Sequence, residues 1–158
     1  MTYLEGLLHR FQEYPRVPEV RHSTWDNNVV RERLTELGVS LCNVDQPLFH
    51  NSIKPSTHTT APVGYVRLHG RNYQQWFSSK ASVRDRYDYL YSTQELEPWA
   101  DRVKTIAANT MDTYVITNNH NLGKALLTAH DISVLLGMTP PQLPESLTQH
   151  HRPPNCQT

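Results

Sequence analysis

Strand-like and helix-like segments alternate along most of this chain, and this alternation limits the possible folds more than any other feature. Four short segments are predicted as strands, at residues 19–22, 39–45, 63–69 and 112–119. Apolar residues at helical spacing indicate helices before, between and after these strands, except that a long crossover without helical periodicity, residues 46–62, joins the second strand to the third. Parallel pairing follows, because a crossover helix returns the chain to the same end of the sheet. The sequence therefore predicts an α/β fold of parallel strands alternating with helices.

The length of the chain limits how much of a barrel it can form. Four parallel strands with helices on one side amount to half of an eight-stranded TIM-like barrel, and a complete barrel takes about 250 residues. The chain has 158 residues. We therefore predict half of such a barrel, about four strands, over residues 1–137. Residues 138–158 are rich in Pro, Gln and His, and we expect them to form a disordered tail.

Charge and composition argue against several classes of partner. Fifteen Lys and Arg residues balance fifteen Asp and Glu residues, whereas a domain that binds nucleic acid through bulk electrostatics carries a basic excess. No stretch approaches 18 apolar residues, so no membrane span is predicted. The N-terminal segment lacks the pattern of a signal peptide, which makes the cytoplasm the expected compartment. No motif in the sequence requires a cofactor, and GxGxxG does not occur.

The stretch YVRLHGRN, residues 65–72, predicts a strand with one strongly polar face. Alternation directs Val66 and Leu68 to one side of the sheet and Arg67 and His69 to the other. Polar residues also occur at or near the ends of the other strands: Glu19, Arg21, Asp45 and Asn118. Barrel enzymes keep their chemistry at the C-terminal ends of the strands. We therefore expect these side chains, with Asp45 and Asn118 on the face of Arg67, to meet in one pocket.

The residue types in this pocket favour a small anionic or phosphorylated ligand. Arg67 can donate paired hydrogen bonds to an oxyanion. Glu19 and Asp45 are candidate general bases, and His69 is a candidate acid or base. The residues predicted to bind the ligand are Arg21, His22, Arg67, Arg71, Asn118 and Asn119. Whether the ligand is chemically changed stays open.

Two other interpretations stay open beside the anion pocket. Half of a barrel leaves strand edges and a lumen face uncovered, so the chain can instead act without catalysis, by self-association as a homodimer or by binding a partner chain. A metal-dependent barrel enzyme is the less favoured alternative. Its candidate ligands, at four consecutive strand ends, are His22, Asp45, His69 and His120. No tight ligand spacing such as HxH or HExxH supports it, so no residue is assigned to a metal.

Five motifs occur in an order that resembles a known family. They are EVRHSTW from Glu19, NVD before Pro47, YVRLHGR from Tyr65 with Trp76, YDYLYS from Tyr87 with Glu95 and Leu96, and NNH from Asn118. Together they are similar to the YecE-like family, the domain of unknown function numbered seventy-two, over roughly residues 3–137. The resemblance implies a TIM-barrel-like fold of about eight strands with no established activity, of which this chain matches the C-terminal half. It also implies that the family's polar residues fall on Glu19, Arg21, His22, Asp45, Arg67, His69, Asn118 and Asn119.

Overall fold

The computed structural model describes residues 2–151, which form three strands and seven helices. The strands are β1 (Cys42–Asp45), β2 (Val63–Leu68) and β3 (Asp112–Thr117). The helices are α1 (Thr2–Arg10), α2 (Asn28–Glu36), α3 (Tyr73–Trp76), α4 (Val83–Arg86), α5 (Thr93–Ala107), α6 (Lys124–Leu135) and α7 (Glu145–His151). Short 3₁₀ turns lie at Ser23–Trp25 and Asn121–Gly123. No helix in this part of the chain is both long and apolar enough to cross a membrane.

The three strands form one parallel sheet in the order β1, β2, β3. In the register between β1 and β2, Val44 pairs with Arg67 and Asp45 pairs with Leu68. Between β2 and β3, Arg67 pairs with Ile116. A parallel sheet with helices packed on it confirms the predicted α/β class, and a partial TIM-like barrel fits this arrangement.

The predicted strand at residues 19–22 is wrong as a regular β-strand. The preceding residues run extended beside β1, where the N–H groups of Ser40 and Cys42 donate to the carbonyls of Arg16 and Pro18 at 3.0 and 3.2 Å. Pro18 has no N–H to donate in return, so the ladder is one-sided. The chain then leaves the sheet, and His22 forms an isolated antiparallel bridge with Ser52.

The helix side of the sheet carries the larger of two hydrophobic clusters. Helix α5 starts with a capping box, in which the side chains of Ser92 and Glu95 bond each other's backbone N–H groups. Its buried face then packs on the inward residues of β2. The cluster contains Val66, Leu68, Tyr91, Leu96, Trp99, Val103, Ile106 and Ile132. This packing leaves the alternate residues of β2 facing the opposite side, which is the lumen side of a barrel.

A second cluster fixes the N-terminal elements against the start of β1. It contains Leu8 from α1, Val30 and Leu34 from α2, and Val39 and Leu41. The apolar spacing in both helices therefore serves the core, and Val20, next to Glu19, packs against the same cluster. Arg16 assists by donating from Nη2 to the carbonyl of Leu37 at 2.8 Å.

Part of the predicted C-terminal tail forms helix α7, where disorder was expected. Leu147 of α7 packs so closely on Gly123 that a Cβ at that position would lie 2.6 Å from Leu147 Cδ1. Gly123 also has a φ of +78°, which glycine adopts without strain. His151 Nε2 lies 2.8 Å from the carbonyl of Leu122. Residues 152–158 of the predicted tail lie outside the described residues, and the domain boundary at residue 137 stays a prediction.

Candidate functional site

Glu19 lies at the centre of a charged cluster on the lumen side of the sheet. Its Oε1 accepts a hydrogen bond of 2.6 Å from Arg21 Nε, and its Oε2 accepts one of 2.6 Å from Arg67 Nη1. His69 Nε2 lies 3.0 Å from Oε1. The Glu19 side chain is only 16% exposed. One carboxylate thus holds two guanidinium groups and an imidazole together.

Strand geometry explains why Arg67 and His69 reach this cluster. Val66 and Leu68 are fully buried on the helix side, so the alternate residues of β2 turn to the lumen. Arg67 continues across the sheet to the end of β3, where its Nε and Nη2 donate to Asn118 Oδ1 at 3.0 and 2.9 Å. The structure therefore brings together five of the predicted site residues: Glu19, Arg21, Arg67, His69 and Asn118.

His69 is placed between a donor and an acceptor. Its Nε2 lies 3.1 Å from Arg21 Nη2 as well as 3.0 Å from Glu19 Oε1, and the side chain is 1% exposed. A guanidinium only donates and a carboxylate only accepts, so these two contacts cannot both be hydrogen bonds of one Nε2. A proton on Nε2 satisfies Glu19 and leaves Nδ1, which is buried without a hydrogen-bond partner among the described residues.

The surroundings shift the pKa values of Glu19 and His69 in the same direction. Burial alone would raise the pKa of Glu19, but hydrogen bonds from His69 and Arg21 outweigh it and lower that pKa to about 2. Burial lowers the pKa of His69, and the positive charge of Arg21 adds to this effect against the hydrogen bond to Glu19. At neutral pH the cluster therefore contains two guanidinium cations, one carboxylate and a neutral imidazole, a net charge of +1.

The prediction that Asp45 shares the face of Arg67 is wrong. Asp45 pairs in register with Leu68, so its side chain points to the helix side of the sheet. There it accepts hydrogen bonds of 2.8 Å from Arg71 Nη2, 2.9 Å from Trp99 Nε1 and 2.5 Å from the Tyr91 hydroxyl. Asp45 is 1% exposed. It and Arg71, two of the predicted site residues, belong to this buried network rather than to the lumen cluster.

Two further predicted ligand residues have local structural contacts. Asn119 is fully buried on the helix side, and its Nδ2 donates to the carbonyl of Tyr89 and to Thr128 Oγ1 at 2.9 and 2.7 Å. His22 is the N-cap of the first 3₁₀ turn, where its ring accepts from the Thr24 N–H. His22 also borders an open cavity next to Arg21.

Aromatic residues around the cluster were assigned no site role from the sequence. Arg21 lies over the ring of Trp76, 5.8 Å from its centroid, and the rings of Trp76 and Tyr87 lie 6.5 and 6.0 Å from that of His69. The aromatic spacing in residues 73–91 was visible in the sequence. Nothing in that spacing indicates which ring reaches the cluster, because α3 and α4 are single turns joined by irregular chain.

The metal hypothesis gains no support from the arrangement of its candidate ligands. Asp45 lies on the helix side, while His120 Nδ1 contacts the carbonyl of Asn118 at 3.0 Å. Within residues 2–151, no group of three or more His, Cys, Asp or Glu side chains is placed to hold a metal ion.

The fold and the cluster define a class of protein, a partial parallel β/α barrel with a charged lumen at the C-terminal ends of its strands. The family model described as "Protein of unknown function DUF72" matches residues 1–154. The chain belongs to this family, which is the YecE-like family named by the motif resemblance. None of the curated proteins matches the chain.

Solved structures of family members support the same fold. A DUF72 family protein from Thermotoga maritima is 33% identical with a TM-score of 0.75, and the match covers 82% of this chain and 50% of that one. A DUF72 family protein from Enterococcus faecalis is 27% identical with a TM-score of 0.77, and the match covers 90% of this chain and 56% of that one. A second structure of the Enterococcus faecalis protein gives 25% identity and a TM-score of 0.74, and the match covers 87% of this chain and 55% of that one. The chain thus spans about half the length of these relatives.

Proposed function

We propose that the lumen cluster binds a small anionic ligand at the C-terminal ends of the strands. The observation that carries this proposal is the imbalance around Glu19, where two guanidinium groups share one carboxylate and His69 is held neutral. Arg21 and Arg67 retain 40% and 30% exposure of their side chains, so an anion can approach them from solvent. Guanidinium groups suit carboxylate and phosphate oxygens because they offer several donors in one plane.

The same cluster contains groups that can move a proton. His69 Nε2 and Glu19 Oε1 lie 3.0 Å apart. Because both pKa values are lowered, Glu19 is a carboxylate and His69 is a neutral imidazole at neutral pH. A ligand held by Arg21 would lie next to this pair, within reach of a general acid or base. Proton transfer is therefore a chemistry that this pair makes available to a bound ligand.

Inorganic phosphate provides the direct test. Isothermal titration of the folded protein should show binding that weakens with added NaCl, because the attraction is between opposite charges. Arg67→Ala should abolish binding, and Arg67→Lys should recover only part of it, because lysine keeps the charge without the planar donors. Arg10→Ala, which removes an exposed arginine from α1, is the matched control and should bind like the parent. Equal phosphate binding by the parent and Arg67→Ala would contradict the proposal.

A second proposed function is self-association through the uncovered lumen face. Tyr114 and Ile116 of β3 share the face of Arg67 in the register, and they are 52% and 37% exposed. Two apolar side chains on an edge strand form a surface that another sheet can cover. A second copy of this chain would supply a matching half, and two chains together would have about the length of one solved relative.

Sedimentation equilibrium separates a dimer from a monomer. The parent should sediment at twice the mass of one chain, and Tyr114→Lys should shift the equilibrium to the monomer by placing a charge on the covered face. Tyr14→Lys is the control, because Tyr14 is also exposed, at 66%, and lies away from β3. A parent that stays monomeric at high concentration would contradict self-association and leave anion binding untouched.

A further inference from the structure

An open cavity of about 480 Å³ adjoins the lumen cluster. Its wall is mainly apolar and includes the aromatic rings of Phe49, Trp76 and Phe77. Six of its nine lining residues are polar, with Arg21 and His22 next to the cluster, but polar atoms form only a small part of the wall surface. This volume is in the range of small-molecule sites, which combine an apolar lining with a few polar groups.

Arg21 joins the cavity to the anion site. Its Nε donates to Glu19 at 2.6 Å, while its guanidinium carbon lies 5.8 Å from the centroid of the Trp76 ring at the cavity wall. Trp76 in turn lies 6.5 Å from the His69 ring, centroid to centroid. A molecule that contacts Arg21 with a charged group can therefore extend its remaining atoms into the cavity without leaving the cluster.

The outer wall of the cavity is an exposed aromatic group. Phe49 and Phe77 contact each other with centroids 4.7 Å apart, and Tyr73 packs on Phe49 at 5.6 Å. Phe77 is nevertheless 75% exposed and Tyr73 is 48% exposed. Large aromatic side chains held together at the rim of a cavity, yet open to solvent, are typical of a surface that a ligand covers.

We infer that the ligand is an aryl anion, with its charged group at Arg21 and its ring in the cavity between Phe49, Trp76 and Phe77. This inference rests on the proposed anion site and adds the class of molecule. An aromatic body fits better than a polar one because rings contact other rings edge to face and bury apolar area. A sugar-like body would find few exposed hydrogen-bond partners, because polar atoms form only a small part of this wall.

Two phosphate monoesters with the same charged group test the inference. Phenyl phosphate should bind the full chain about tenfold more tightly than methyl phosphate, from partial burial of one ring. Phe77→Ala should remove most of this difference while leaving the affinity for methyl phosphate unchanged. Tyr14→Ala removes an exposed aromatic elsewhere and should keep the tenfold difference. Isothermal titration measures all the pairs.

The outcomes separate the two proposals. If methyl and phenyl phosphate bind equally in the parent, the aryl inference is overturned and the anion site stands. If both bind and Phe77→Ala keeps the full difference, the ring lies elsewhere and the inference is again overturned. If neither ester binds, the anion site itself fails, and the inference that rests on it fails with it.

Discussion

Glu19 and Arg67 lie 48 residues apart, yet they are joined by a hydrogen bond of 2.6 Å between Oε2 and Nη1. The same carboxylate accepts from Arg21, so Glu19 ties the N-terminal segment to the centre of the sheet. Glu19→Gln should lower the free energy of unfolding by about 1–3 kcal/mol, because two guanidinium groups lose their counter-charge. The loss stays below that of a fully buried pair since Arg21 is 40% exposed and screened by water.

Urea denaturation of parent and variant measures this loss. Glu36→Gln is a suitable control, because Glu36 also pairs with an arginine, Arg33, but its side chain is 64% exposed. That control should leave the denaturation midpoint almost unchanged. A midpoint for Glu19→Gln equal to that of the parent would indicate that solvent already neutralises the cluster.

The pKa of Glu19 predicts how stability depends on pH. Its value of about 2 lies below the ordinary 4.5, so the folded state favours the carboxylate, and the stabilisation is fully present above pH 4.5. It should be lost as the pH falls from 4.5 towards 2, with a total of at most about 3 kcal/mol.

Protonation of His69 should also lower the stability as the pH falls, but at a higher pH than protonation of Glu19. Its pKa is lowered from 6.5, so the unfolded chain takes up the proton first and stability begins to fall below pH 6.5. Urea titrations between pH 7.5 and 3 should therefore show a loss in two stages. His69→Gln should flatten the upper stage and Glu19→Gln the lower one. Variants with the pH profile of the parent would contradict the assigned protonation states.

Asp45 provides a test of the network on the other side of the sheet. Asp45→Asn should cost about 3–5 kcal/mol of unfolding free energy, because Arg71 loses a paired carboxylate that is 1% exposed. Trp99 and Tyr91 also lose an anionic acceptor. Phosphate affinity of the folded variant should change less than twofold, since Asp45 faces away from Arg67. Asp101→Asn, at an 81% exposed position, should change neither quantity. A large loss of phosphate affinity would place Asp45 in the binding site after all.

The sequence predicts the lumen face of β2 because that strand has a clear contrast between its two sets of residues. Val66 and Leu68 are apolar and Arg67 is charged, so packing against helices allows one orientation. In β1 all four residues are buried. Alternation correctly places Asp45 and Val44 on opposite faces of β1. Which of these faces is the lumen face depends on the register with β2, and no pattern within one strand fixes that register.

The place of Glu19 in the lumen cluster was harder to predict from the sequence, for a different reason. Glu19 reaches the cluster from an extended segment that follows Pro18, where backbone pairing is incomplete. Its position depends on long-range contacts with Arg67 and His69, which lie 48 and 50 residues further on. The capping box at Ser92 and Glu95 was predictable since both partners lie within one helical turn.

Gly64 tests the close approach of α5 to β2. A Cβ at this position would lie 2.5 Å from Ile106 Cγ2 and 2.8 Å from Thr113 Oγ1. Gly64→Ala should therefore destabilise the protein by about 1–3 kcal/mol through overpacking. Gly6→Ala is the matched control in α1, where a Cβ meets nothing within 4 Å, and it should stabilise by up to about 1 kcal/mol. Thermal unfolding of both variants checks the opposite signs, and a stabilised Gly64→Ala would show that α5 can move away from the sheet.

Glu19 also competes with any anion for the two arginines. Glu19→Gln raises the net charge of the cluster from +1 to +2, because it removes the only carboxylate bonded to Arg21 and Arg67 among the described residues. Phosphate should therefore bind the variant about five- to tenfold more tightly at low salt, and the gain should shrink as NaCl is added. Isothermal titration at two salt concentrations measures both effects. Glu36→Gln changes the net charge of the whole protein equally but lies in an exposed pair with Arg33, so it should leave the affinity unchanged. If Glu19→Gln binds phosphate more weakly than the parent, Glu19 serves to hold the arginines in a binding geometry and does not compete with the ligand.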